Sequence, residues 1–172
     1  VPTTLLWVEY NRFTLVGPDA VTGTEELPYG NGLVAATADP PGGAVILTGL
    51  ADGQVRVTAR LLPSAPAVPL DNWQDAAIVA LRWPGGPMRL LGADVVPPSA
   101  LAFAPDQPPG VYGLLVAGRH RDDGETRGTE DPVEEYLIRL WPSASAEPAR
   151  LLKATSETGA YWRQVEPGRR TP

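Results

Sequence analysis

The chain has no cysteine, one histidine, one methionine, two phenylalanines and, at Lys153, a single lysine. Without cysteine there is no disulfide, no thiolate nucleophile and no zinc–cysteine cluster. A reducing cytoplasm, where disulfides are rare, is the expected location. One histidine cannot supply a catalytic triad or a zinc site unaided. His120 also stands between Arg119 and Arg121, whose charges disfavour a bound cation. The lone lysine follows no glycine cluster, which leaves no Walker-type phosphate cradle. Gly30-Asn31-Gly32 lacks the third glycine of a dinucleotide fingerprint and reads as a turn. Long apolar stretches are missing too. The run 76–81 is of strand length, far short of the roughly eighteen residues that span a bilayer, so no membrane partner is expected. No charged start leads into an apolar segment and a small-residue cleavage site.

Proline and glycine, by contrast, are abundant, at 20 and 18 of 172 residues. They cluster at Pro40-Pro41-Gly42-Gly43, Pro84-Gly85-Gly86-Pro87, Pro97-Pro98 and Pro108-Pro109-Gly110. Each cluster predicts the end of an element, because proline cannot donate to a central ladder and glycine tolerates turn dihedrals. Between them lie short runs of Val, Ile, Leu, Tyr and Thr. They predict strands at 5–10, 12–16, 33–37, 44–50, 54–61, 76–83, 88–91, 111–117 and 136–141. The clearest is 54–61, where Val55, Val57, Ala59 and Leu61 alternate with Gln54, Arg56, Thr58 and Arg60. Asp52-Gly53 before it is a hairpin turn signal. No segment shows three helical turns. The pattern predicts an all-β fold, an antiparallel two-sheet β-sandwich, with one domain over 1–163 and a loose tail over 164–172.

Charge is uneven. The formal net charge is -6, a mean field that repels nucleic acid and favours a basic partner. Between positions 122 and 135 seven of fourteen residues are acidic: Asp122, Asp123, Glu125, Glu130, Asp131, Glu134 and Glu135. Such density predicts an extended loop that focuses negative potential, and these seven are the candidate partner-binding residues. The ligand spacing of a calcium loop is absent. Neighbouring carboxylates such as Glu25-Glu26 and Glu134-Glu135 point to opposite faces of a strand, which does not place a glycosidase pair. No catalytic, metal or cofactor site is therefore expected. Among the tryptophans, Trp7, Trp83 and Trp141 fall in or beside strands and read as packing residues. Trp73 and Trp162 sit in polar surroundings where exposure would suit a sugar platform or an interface.

The order of segments also carries a resemblance. Val8-Glu9-Tyr10-Asn11-Arg12-Phe13-Thr14-Leu15-Val16 resembles the aromatic opening strand of the competence protein J family. Asn31-Gly32-Leu33-Val34-Ala35-Ala36-Thr37 and Ala44-Val45-Ile46-Leu47-Thr48-Gly49 are similar to its next segment and central strand. Gln54-Val55-Arg56-Val57-Thr58-Ala59-Arg60-Leu61 resembles its alternating strand. Pro109-Gly110-Val111-Tyr112-Gly113-Leu114-Leu115-Val116 is similar to its Gly-x-Tyr strand, and Tyr136-Leu137-Ile138-Arg139-Leu140-Trp141 to its last. This chain has longer proline-rich spacers and an extra tail. The resemblance implies a small β-sandwich inhibitor of a membrane-associated DNA-entry nuclease. It transfers framework residues and no inhibitory motif. The expectation is thus a non-enzymatic, immunity-like protein whose acidic surface covers a basic nuclease, without contacting nucleic acid itself. A carbohydrate- or small-ligand-binding module is the alternative, and an open sheet edge would permit a homo-oligomer.

Overall fold

The computed structural model describes residues 3–17, 31–38, 41–93, 100–123 and 133–165. The pair Glu25-Glu26, three of the candidate carboxylates (Glu125, Glu130 and Asp131) and the tail beyond 165 lie outside the described residues. In chain order the elements are β1 (Thr3–Val8), β2 (Arg12–Val16), β3 (Val34–Ala38), β4 (Pro41–Leu47), β5 (Gly53–Leu61) and β6 (Asp75–Trp83). Then follow β7 (Gly86–Leu91), β8 (Ala100–Gln107), β9 (Gly110–Arg119), β10 (Glu135–Pro142), β11 (Arg150–Ala154) and the helix α1 (Glu157–Gln164). Each expected strand corresponds to an observed one, its ends displaced by at most three residues.

The fold is nearly all β. One sheet has six strands in the order β1-β5-β10-β9-β6-β11, the other five in the order β3-β4-β2-β7-β8. The first sheet is mixed, which corrects the antiparallel expectation: β10 runs parallel to β5, with Arg56 opposite Glu135 and Leu61 opposite Leu140. A parallel pair needs a crossover connection. Here β6 to β9 intervene between the two strands, ample chain for the return.

Alternation explains which side chains meet. Val55, Val57 and Ala59 are fully buried while Arg56 and Arg60 are exposed. One core cluster joins both sheets, including Leu6 and Val57 from the first and Phe13, Ile46 and Leu90 from the second. A second, smaller cluster lies on β6, β9 and β10, where Ala76, Leu115, Ala117 and Trp141 are covered by Leu62, Val68, Leu70 and Trp73. The segment after β5 therefore dries part of a face that alternation alone would leave wet.

Candidate functional site

Several turns converge at one end of the fold, and a buried charged cluster ties them together. Its centre is Arg121, only 1% exposed. His120 before it takes a positive φ of 57°, which reverses the chain as it leaves β9 and lets Arg121 reach inward. The guanidinium donates to the Asp75 carboxylate, to Tyr136 Oη at 3.3 Å and to the carbonyls of Gly32 and Leu47, each at 3.0 Å. Asp75 opens β6 and also accepts the Ser156 hydroxyl and the backbone N–H groups of Thr155 at 2.9 Å and Ser156 at 3.2 Å. Ser156 caps α1 by accepting Gly159 N–H at 2.9 Å, satisfying one of the donors that a helix start leaves free.

Glu134 forms the other half. It accepts Gly49 N–H at 2.6 Å, Leu50 N–H at 2.9 Å and the Tyr136 hydroxyl. The β4–β5 turn is thus held from one side by Glu134. It is held from the other by Asn11, whose amide donates to the carbonyls of Gly49 at 3.1 Å and Thr48 at 3.4 Å. Glycine is required at position 49, because a Cβ there would stand 1.7 Å from the Arg121 carbonyl oxygen.

The two buried carboxylates titrate in opposite directions. Burial works against the charge of Asp75, but hydrogen bonds from Ser156 and the Arg121 charge outweigh it and hold its pKa below 3.8. At Glu134 burial wins over Tyr136, the two backbone donors and Arg121, so its pKa lies above 4.5. Burial and the neighbouring Glu134 also push the Tyr136 phenol well above 10.0. All these groups are saturated by internal partners, and the arrangement fastens chain segments to one another.

The candidate acidic residues fall into distinct settings. Asp122 stays exposed, yet both its oxygens accept backbone N–H groups of α1, from Glu157 at 3.0 Å and Thr158 at 2.9 Å. Asp123 lies 3.0 Å from His120 Nδ1 and is half exposed. Glu135 pairs with Arg119 at 2.6 Å and Arg56 at 3.5 Å. Glu134 differs most from the expectation of a surface carboxylate: at 1% exposure it faces inward. Its position, two residues before Tyr136 on the inward phase of β10, is the reason. Among the described residues no cluster of histidine, aspartate and glutamate could hold a metal.

The tryptophan expectation changes as well. Trp162 is buried on α1, and Trp73 is half-buried beneath the Arg119 guanidinium, 5.1 Å from its ring centroid. These two do not make a flat open platform. The cluster itself was missed in the sequence, although a signal existed. Asp75 shares the inward phase of Ala77, Val79, Leu81 and Trp83, and Glu134 that of Tyr136, Ile138 and Leu140.

These elements define a class: a nearly all-β domain of one mixed and one antiparallel sheet, locked at one end by a buried ionic cluster. That fold is shared with ComJ of Bacillus subtilis, an inhibitor of the DNA-degrading activity of NucA. The two align with a TM-score of 0.54 and 14% identity over 83% of this chain and 96% of ComJ. A crocagin biosynthetic protein J aligns with a TM-score of 0.49 and 15% identity, over 83% of this chain and 99% of that one. No protein-family model and no curated protein matches the sequence. The chain has a ComJ-like fold. No helix among the described residues is long and apolar enough to cross a membrane.

Proposed function

We propose that this chain is a non-enzymatic protein-binding domain that inhibits a basic nuclease through its acidic end. The observation that carries this reading is how the acidic segment is mounted. Asp122 at its start is fastened to α1, and Glu134 at its close is fastened to the β4–β5 turn. Both flanks of the acidic segment are thus fastened to the frame, and segments carried on a rigid frame are the common place for recognition. The ComJ-like fold supports an inhibitory role by analogy. Asp122, Glu134 and Glu135 then serve as framework, while the four between them face the partner and steer its approach. An intracellular location suits such a role.

The test is inhibition of DNA cleavage by purified DNA-degrading nucleases of the source cell and by NucA, at low and high salt. Inhibition that weakens as salt rises, and that fails when Asp123, Glu125, Glu130 and Asp131 are all changed to lysine, is the expected outcome. Inhibition untouched by that fourfold reversal would remove the electrostatic element of the reading.

A further inference from the structure

At the same end of the fold, one turn position carries a residue type that its backbone conformation disfavours. Tyr10 is 80% exposed, by far the most exposed large hydrophobic side chain among the described residues. Its φ is +56°, followed by +58° at Asn11, in the two-residue turn closed by the Glu9–Arg12 bridge between β1 and β2. Two-residue hairpin turns of this hand call for Asn, Asp or Gly at both central positions. Asn11 meets that preference. Tyrosine does not, because its Cβ crowds the backbone in the left-handed region. Among the described residues the phenol has no hydrogen-bond partner, and the side chain projects into solvent.

What surrounds the ring is stiff and acidic. Asn11 fixes the turn through Thr48 N–H donating to its carbonyl at 2.8 Å and its own N–H donating to Ala51 O at 3.2 Å, besides the two amide contacts above. The adjacent Asp52 is in turn held by the Trp7 indole at 3.0 Å. Gly49 lies against the Arg121 carbonyl and the Thr158 hydroxyl, which links this hairpin to the neighbourhood of Asp122 and Glu157. The carboxylates of Glu9, Asp52, Asp122, Asp123 and Glu157 therefore rim the same end. Arg12 on the turn, His120 and, on α1, Arg163 are the basic groups near that rim among the described residues.

We propose that Tyr10 is the anchor by which this chain grips a basic protein, an inference that rests on the inhibitor reading above. A tyrosine offers a large apolar ring with a polar tip and only two side-chain torsions to freeze. Anchors of this kind dominate interface energetics when presented on a pre-ordered backbone. Backbone strain kept at an exposed position is the mark of a residue retained for recognition. The acidic rim selects the sign of the partner, and the ring supplies the grip that charge alone does not.

The test uses Tyr10→Gly and Tyr10→Asn, both of which suit a positive φ and remove the ring. The expected result is a Tm equal to or above that of the parent chain, together with affinity for the inhibited nuclease reduced by at least about tenfold. A merely structural tyrosine would not give both. Unchanged affinity in the two variants overturns the anchor while leaving nuclease inhibition standing. Should the parent chain inhibit none of the nucleases, that reading fails by itself, and the anchor is decided by cross-linking. With p-benzoylphenylalanine at position 10, a photo-adduct with NucA or another of the purified nucleases, competed by unlabelled parent but not by Tyr10→Gly, sustains it. Absence of any such adduct overturns it.

Discussion

Asp75 and Glu134 sit on either side of Arg121, both about 1% exposed, and the protein treats them differently. Asp75 is ionised at the expense of its burial because a guanidinium and a serine hydroxyl face it directly. Glu134 is met by two backbone donors and a phenol, all neutral, and burial leaves it reluctant to ionise. One half of the cluster is a true ion pair; the other is a hydrogen-bonded brace. The lesson is that a buried carboxylate becomes a fixed charge only where a full counter-charge touches it.

The harshest way to break the contrast is Arg121→Met. It strands an ionised Asp75 and removes the Arg121 donor from the Gly32 and Leu47 carbonyls, of which Leu47 keeps the Tyr136 hydroxyl, so a loss of about 3–5 kcal/mol is expected, read from the urea midpoint. Asp75→Asn orphans the guanidinium instead and should cost nearly as much. Glu134→Gln keeps the shape and one acceptor but turns an amide N–H₂ toward a backbone donor, at about 1–3 kcal/mol at pH 7. Comparable losses at Asp75 and Glu134 would erase the distinction between pair and brace.

Acid sharpens the same contrast. The folded-state pKa of Asp75 lies below its usual 3.8, so its contribution is complete above that pH and is lost as pH falls through the folded value. The folded-state pKa of Glu134 lies above 4.5. The native state therefore binds that proton more tightly than the unfolded chain does. The penalty for burying ionised Glu134 is full above its folded pKa and vanishes below 4.5. Relative to Glu134→Gln, the parent chain should gain stability as pH drops from 7 toward 4.5. Relative to Asp75→Asn it should lose stability only below 3.8. Denaturant melts at half-unit pH steps measure both slopes, and a parent curve parallel to that of Glu134→Gln would refute the first.

The sequence made much of this architecture legible, and its failures have physical causes. Strands with one buried face announce themselves by alternation, as β5 does. The two that were not expected, β8 and β11, are edge strands of their sheets. Pro105 interrupts the first, which an edge tolerates, and no residue of the second is buried. Helix α1 has eight residues with a glycine at its third position, too short for a periodic signal. It is written instead in its ends, with the Ser156 cap, Glu157 in the first turn and Arg163 in the last. The parallel pairing of β5 and β10 is invisible because register between distant strands leaves no local mark. In the candidate site, composition revealed the acidic segment but not the division of labour within it. Glu134 and Glu135 are neighbours of identical chemistry, and only the phase of β10 sends one inward and the other to the surface.

That pair of neighbours also yields the smallest prediction. Glu135 meets Arg119 and Arg56 on the outer face of the six-stranded sheet, where the arginine side chains retain 34% and 46% exposure. Water and salt screen the attraction there, and two long side chains lose freedom to make it. Glu135→Gln should therefore cost only about 0.2–1 kcal/mol, and less as salt is raised. The comparison with Glu134→Gln, one residue away, isolates burial as the variable, since the chemical change is the same. A cost at Glu135 as large as at Glu134, insensitive to salt, would mean that the Arg119 contact is shielded from solvent. The guanidinium stacked on Trp73 would be the reason, because it already commits Arg119 to one orientation.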